Sequence, residues 1–475
     1  VTVAGAVSLA STLSVGGATH LASTVTVAGA AIFEDSVSVS GNIDVAGNTS
    51  IGGTLMTTGA ATFDDDVSVS GNTNLGGTVT VGGAVSLAST LSVGGAANFA
   101  STVTIAGAVS LNSTLSVGGA THLASTVTVA GKAIFEDSVS VSGNLDVGGN
   151  VSVGGTLFAA GGITYDGDVS VSGDLAVGGN VSIGGTLSVT GAVSLASTLS
   201  VGGATNLGST VTVVGAGTFK DSVSVSGNVN IGGTVTVGGA VSLASTLSVG
   251  GAAHFGSTVT VAGAVSLAST LSVGGAANFA STVTVAGAAI FEDSVSVSGN
   301  VNIGGTVTVG GAVSLASTLS VGGAAHFGST VTVAGAAIFE DAVSISGTVD
   351  IAGNTSVGGT FLATGKAEFE DDVSVSGNSN FGGTVTVAGA VSLNSTLSVG
   401  GASNFASTVT IAGAVSLNST LSVGGATNLL STVTATGNSG FLGTVRVSGN
   451  TSLEGQLQLS ESAAAAVHTT AINGV

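Results

Sequence analysis

The feature that most constrains this chain is a six-residue frame that runs from Val1 to about Leu459 without an insertion. The stretch Val79–Thr102 shows it, cut as VTVGGA, VSLAST, LSVGGA and ANFAST. Position one is small or aliphatic (Val79, Val85, Leu91, Ala97), and position three is aliphatic or aromatic (Val81, Leu87, Val93, Phe99). Position two is Thr, Ser or Asn, and positions four to six are Gly, Ala, Ser and Thr. Residues two apart share one side of a strand, so positions one and three face inward and position two faces out. Small turn-forming residues then supply a bend, and pairs such as Gly41-Asn42 are expected to accommodate a positive φ. Strand and turn in strict alternation make a solenoid, in which each unit stacks on its neighbours. A helix fits poorly, because the apolar period is two within six and Gly and β-branched residues are frequent.

The aromatics sharpen the frame. Of 16 phenylalanines, 14 fall at position three, which marks that position as core. Phe361 falls at position one, and only Phe158 falls on the outward position two. Phe63, Phe99 and Phe135 are 36 residues apart, as are Phe219, Phe255, Phe291 and Phe327, and Phe369, Phe405 and Phe441. Midway between them lie valines such as Val81, Val117, Val273 and Val387. A coil of three hexads, 18 residues, stacks Phe and Val alternately in one column, and large against small fills a narrow interior better than large against large. A 12-residue coil also divides 36, so the spacing favours three hexads without excluding two. Phe33 to Phe63 is five hexads, so the aromatic column moves to another face there.

Composition removes several function classes. Gly is 80 of 475 residues but has no three-residue period, and Pro is absent, which excludes collagen. Only Lys132, Lys220, Lys366 and Arg446 are basic, against 24 acids, for a formal charge of −20. Such a surface offers phosphates no partner, so neither nucleic acid nor an anionic membrane is expected to bind it. The absence of Cys excludes disulfides, thiolate metal sites and cysteine nucleophiles. No run approaches the roughly 20 apolar residues of a membrane helix, so membrane insertion is not expected. Val1 already stands in frame, which suggests a processed product or an interior piece of a longer protein.

Read from position three, the hexads run V-G-G-A-V-S (Val81–Ser86), L-A-S-T-L-S (Leu87–Ser92) and F-E-D-S-V-S (Phe33–Ser38). This resembles the hexapeptide repeat of left-handed parallel β-helices, over about 460 residues. Segments such as NTSIGGTL (Asn48–Leu55) and STLSVGGAT (Ser11–Thr19) also look like shaft repeats in fibre proteins of phages and large viruses. The resemblance implies an all-β fold: one continuous parallel β-solenoid, left-handed and triangular, with 18-residue coils of three hexads. Residues 1–460 form the solenoid shaft. Residues 461–475 leave the repeat and are expected to form a cap or the start of a further domain.

Candidate sites each have a plainer explanation. Acidic clusters (Glu34-Asp35, Asp64-Asp65-Asp66, Glu136-Asp137, Asp166 and Asp168, Glu292-Asp293, Glu340-Asp341, Glu370-Asp371-Asp372) offer oxygens for calcium, but no calcium-loop spacing accompanies them. They read as solvated bends. His20, His122, His254 and His326 all occupy position two, isolated from one another, and read as surface residues. In the hexapeptide-repeat acyltransferases that the repeat resembles, a His at a subunit boundary is the general base. Those enzymes break their coils with a loop that this chain lacks. Thr-Val-Thr triplets such as Thr24–Thr26 and Thr102–Thr104 are the device of an ice-binding face, but their spacing scatters them over three faces of an 18-residue coil. The VGG bends lack the Lys and Ser/Thr of a phosphate loop. No residue is therefore assigned a catalytic, cofactor-binding or metal-ligating role, and no cofactor is expected.

The expected function is structural: the rod or shaft of an extracellular or virion-surface fibre, spacing an adhesive tip from an anchor. Its partners would be tip and anchor domains or proteins, with self-association end to end or as a trimer. A self-polymerising filament subunit, an ice- or glycan-binding solenoid and, last, an acyltransferase are the alternatives. At 18 residues per coil and ~4.8 Å between paired strands, the length would be on the order of 120 Å.

Overall fold

The computed structural model describes residues 1–459, so the expected tail 461–475 lies outside the described residues. The chain divides into two compact units, residues 1–245 and residues from 246 onward. Each is a parallel β-solenoid of three-residue strands, one per hexad, placed at positions one to three. Three strands make one coil. In the first unit, Thr19–Leu21, Val25–Val27 and Ala31–Phe33 form the three sides of one coil and pair with Val37–Val39, Ile43–Val45 and Thr49–Ile51 of the next. In the second unit, Ala253–Phe255 pairs with Leu271–Val273, which continues to Ala289–Phe291.

The register is i to i+18 in both units. Phe99 lies between Val81 and Val117 of its own chain, which excludes the 12-residue coil. The column Phe63, Val81, Phe99, Val117, Phe135 alternates large and small as the spacing required. Phe255, Val273, Phe291, Val309 and Phe327 do the same in the second unit. Positions one and three are buried, with Phe63 1% and Phe99 4% exposed, while position two faces solvent. Burial needs a coil on either side: Val7, Leu9, Leu13 and Val15, with no preceding coil, are only half-buried.

Volume is balanced within each strand as well as between coils. Every position-three phenylalanine shares its strand with Ala, Gly or Ser at position one, as in Ala97–Phe99, Gly217–Phe219 and Ser403–Phe405. At Gly217 a Cβ would stand 3.1 Å from the Phe219 ring, so the ring already occupies the space that a position-one side chain would fill. Phe361 reverses the arrangement. It sits at position one, its strand carries Ala363 at position three, and Ser379 lies beside it in the next coil. Its ring packs with Phe369 (centroids 5.9 Å apart) and Phe381 (5.2 Å).

The bends differ from the sequence expectation. Gly41 and Gly53 do not have a positive φ; what demands glycine there is the approach of the preceding coil. A Cβ on Gly41 would lie 2.6 Å from the backbone of Ser23, one coil back. Position-five glycines draw close enough to hydrogen-bond across coils, as in Gly95 N–H to Gly77 O at 3.1 Å and Gly203 N–H to Gly185 O at 2.9 Å. Position five is Gly, Ser or Asp throughout the frame, and no Ser or Asp there stands 18 residues from another. Ser101, for example, has Gly83 before it and Gly119 after it. A corner side chain is admitted only where both neighbouring coils have none.

Gly131 stands over Ser113, and no two position-five side chains in the frame are 18 residues apart. Gly131→Ser should lower stability by roughly 1–3 kcal/mol through overpacking. Ser113→Gly in the same chain restores the alternation and should recover most of the loss, read as the urea midpoint of both variants. Separately, the Tyr165 hydroxyl is buried without a hydrogen-bond partner, and burial raises its pKa far above the ordinary phenol value. Tyr165→Phe removes that unpaired group and should raise stability by about 1 kcal/mol, measured the same way.

Candidate functional site

The corners come first, because the acidic residues lie there. Two of the three corner N–H groups have backbone partners. Position four donates to position three of the coil before (Ala22 N–H to Val3 O, 2.9 Å), and position-five glycines donate as described above. Position six is left over, and side chains serve it in two ways. A position-five Asp accepts from the next residue, as Asp35 does from Ser36 N–H and Asp137 from Ser138 N–H, each at 2.7 Å. Otherwise a position-six Asn, Asp or Ser accepts from position six of the following coil. Asn42 accepts from Ala60, Asp66 from Ala84 and Asn144 from Gly162, at 2.7–2.9 Å. These oxygens are therefore engaged in holding bends.

The acidic clusters do not converge. Glu34-Asp35 lies between Gly16-Gly17 and Gly52-Gly53 of the adjacent coils, and Glu292-Asp293 between Gly274-Gly275 and Gly310-Gly311. Among the described residues, no three His, Cys, Asp or Glu side chains gather as a metal site. Lys366 pairs with Glu368, two residues along the same outer face. The Thr-Val-Thr triplets are scattered: Thr80, Thr104 and Thr128 stand on three different sides of the first unit.

His20, His122, His254 and His326, the histidines among the described residues, all point outward. Each has the same company along its column of position-two residues. His20 is followed by Ser38 and Met56, and His122 by Ser140 and Phe158. His254 is followed by Ser272 and Ile290, and His326 by Ser344 and Leu362. The large residue that closes each column is exposed: Met56 48%, Phe158 47%, Ile290 47% and Leu362 41%. Residues 19–58, 121–160 and 325–364 are copies of one another, offset by 102 and 306 residues, and all three keep an apolar residue at that outward place. Shallow grooves of about 430 Å³ and 410 Å³ run along the columns of His122 and His20. Sequence reading placed Phe158 outward but drew nothing from it. The signal was present as an apolar residue 36 positions after each of these four histidines.

Among the described residues, no helix is long and apolar enough to cross a membrane. Comparison with protein-family models, with curated proteins and with solved structures returns no match. What stands on the structure is the parallel β-solenoid with 18-residue coils; the resemblance to hexapeptide-repeat proteins and fibre shafts was read from the residues alone.

The corner chemistry has a pH consequence. Asp168 accepts from Thr186 N–H at 2.8 Å, and this bond, with a second from the Thr186 side chain, holds its carboxyl below the usual range. A carboxyl whose folded pKa is depressed adds stability above its unfolded pKa, and that contribution is lost as pH falls through the folded value. Asp168→Asn keeps the accepting oxygen and loses the titration. The variant should be less stable than the parent at neutral pH, approach it in acid, and so lose less stability as pH falls, read from urea midpoints at the two pH values.

Proposed function

We propose that this protein is a structural shaft, part of an extracellular or virion-surface fibre that spaces a binding tip from an anchor. The observation that carries the reading is the unbroken i to i+18 ladder, with no loop inserted among the described strands of either unit. A catalytic solenoid needs a place where groups converge. Here the outward groups repeat at a fixed pitch, and corner carboxylates such as Asp35 and Asp66 accept from backbone N–H groups. The fold spends its sequence variety on interior volume and corner bonds, which is what a spacer requires. The four basic residues and the charge of −20 keep such a surface apart from its copies and from phosphate polymers.

Small-angle scattering of the purified chain tests the proposal. A shaft requires a rod profile of constant cross-section, on the order of 120 Å long and independent of concentration. A compact profile overturns it, and a length that grows with concentration replaces the shaft with an end-to-end filament. Limited proteolysis supplies an independent reading: trypsin has only Lys132, Lys220, Lys366 and Arg446 to cut, and strand ladders should protect them. Rapid native-state cleavage after Lys132 or Lys220 would count against a rigid rod.

A further inference from the structure

We propose that the groove along His122, Ser140 and Phe158 is a binding site for a neutral saccharide. The site adds a ligand to the outer surface and does not depend on the shaft reading. Position two elsewhere carries mostly Ser, Thr, Asn or Asp, which cost nothing to expose, whereas Phe158 leaves a phenyl ring 47% exposed. Ser140 and Ala176 flank the ring on the adjacent coils, leaving both of its sides low. His122 stands two coils before it, with Ser140 between them, so imidazole, hydroxyl and ring follow one another over about 10 Å. Thr104 precedes the imidazole, and Ser138 and Thr156 form the corner wall of the groove.

The chemistry of the lining selects the class of ligand. Hydroxyls and an imidazole exchange hydrogen bonds with a polyol, and a phenyl face packs against the C–H side of a sugar ring. No Lys or Arg lines the groove, and the chain carries −20, so phosphate, sulfate and nucleic acid find no counter-charge. A peptide cannot join as an added strand, because the backbone donors of this face are already paired. Thr121 N–H bonds Ser138 O, Val139 N–H bonds Thr156 O, and Leu157 N–H bonds Asp174 O, at 2.8–2.9 Å. The groove at His20, Ser38 and Met56 has the same plan with a thioether in place of the ring. Three copies of the segment keep an apolar group at this place while its identity changes among Met, Phe and Leu.

The test uses the full chain and three uncharged probes, maltopentaose, cellopentaose and chitopentaose, by isothermal titration calorimetry. At least one should bind, and Phe158→Ser and His122→Ser should each weaken it by about tenfold, the scale of one aromatic or polar contact. The chain has no Trp, so Phe158→Trp creates a single reporter whose emission should shift as the sugar binds. Phe158 faces solvent, so circular dichroism and the urea midpoint of its variants should match the parent. The proposal is overturned if none of the three sugars binds at about 10 mM, well within reach of weak sites. It is also overturned if neither serine variant changes the affinity or the number of sugars bound per chain. Uptake of an apolar dye that Phe158→Ser abolishes, with no sugar bound, would overturn it in favour of a hydrophobic docking patch.

Discussion

Everything in this structure depends on the distance between coils. Parallel strands one hydrogen bond apart bring each corner within about 4.8 Å of the next, and a corner side chain has nowhere to go if its neighbour has one too. Along the strands the pleat solves the problem by sending side chains in or out. At position five neither direction is free, so glycine, or an isolated Ser or Asp between two glycines, is what remains. The acidic clusters obey the same rule. Asp35, Asp137 and Asp341 each sit between glycine corners, which keeps like charges apart and leaves each carboxylate free to serve the position-six N–H beside it.

The interior answers to a second constant, the volume inside one coil. Phe at position three goes with a small partner at position one of the same strand, and with an aliphatic residue, most often Val, rather than Phe in the coils before and after. Phe361 shows that the rule concerns volume rather than place, because moving the ring to position one moves the small residue to Ala363. Single hexads can be added without harm, since each addition rotates the pattern to another side while every strand stays balanced. The 102-residue offset between two copies does this: Phe158 and Met56 stand on different sides of the first unit, each in the same surroundings.

Much of this was legible in the sequence. The hexad placed the strands, the aromatics placed the core, and the 36-residue series pointed to an 18-residue coil. The corner pattern would have excluded the 12-residue coil outright: Ser89, Ser101 and Ser113 are 12 apart and would stack, whereas at 18 each of them meets glycine. Two things were read differently from what the structure shows. The bend glycines serve close approach rather than positive φ. The Asn and Asp of position six, read as turn formers, supply acceptors to the coil that follows. Both concern contacts 18 residues away, which local turn propensity does not register.

Function was less legible for a physical reason. Position two meets only solvent and the position-two residues above and below it, so neither folding nor stability restricts it to one chemistry. A residue there can change without cost to the coil, and in most hexads it has settled on small polar groups that cost little to hydrate. An exposed phenyl, thioether or branched aliphatic gains nothing from the fold, because the same strand would be complete with Ser in its place. Where such a residue persists in three copies of one segment, at the same distance from a histidine, the fold does not account for it. What remains is an interaction at the surface. In a solenoid whose inward half is wholly spoken for by packing, the outward half carries the information about what the protein meets, and the columns through Met56, Phe158 and Leu362 are among the places where that information departs from the background.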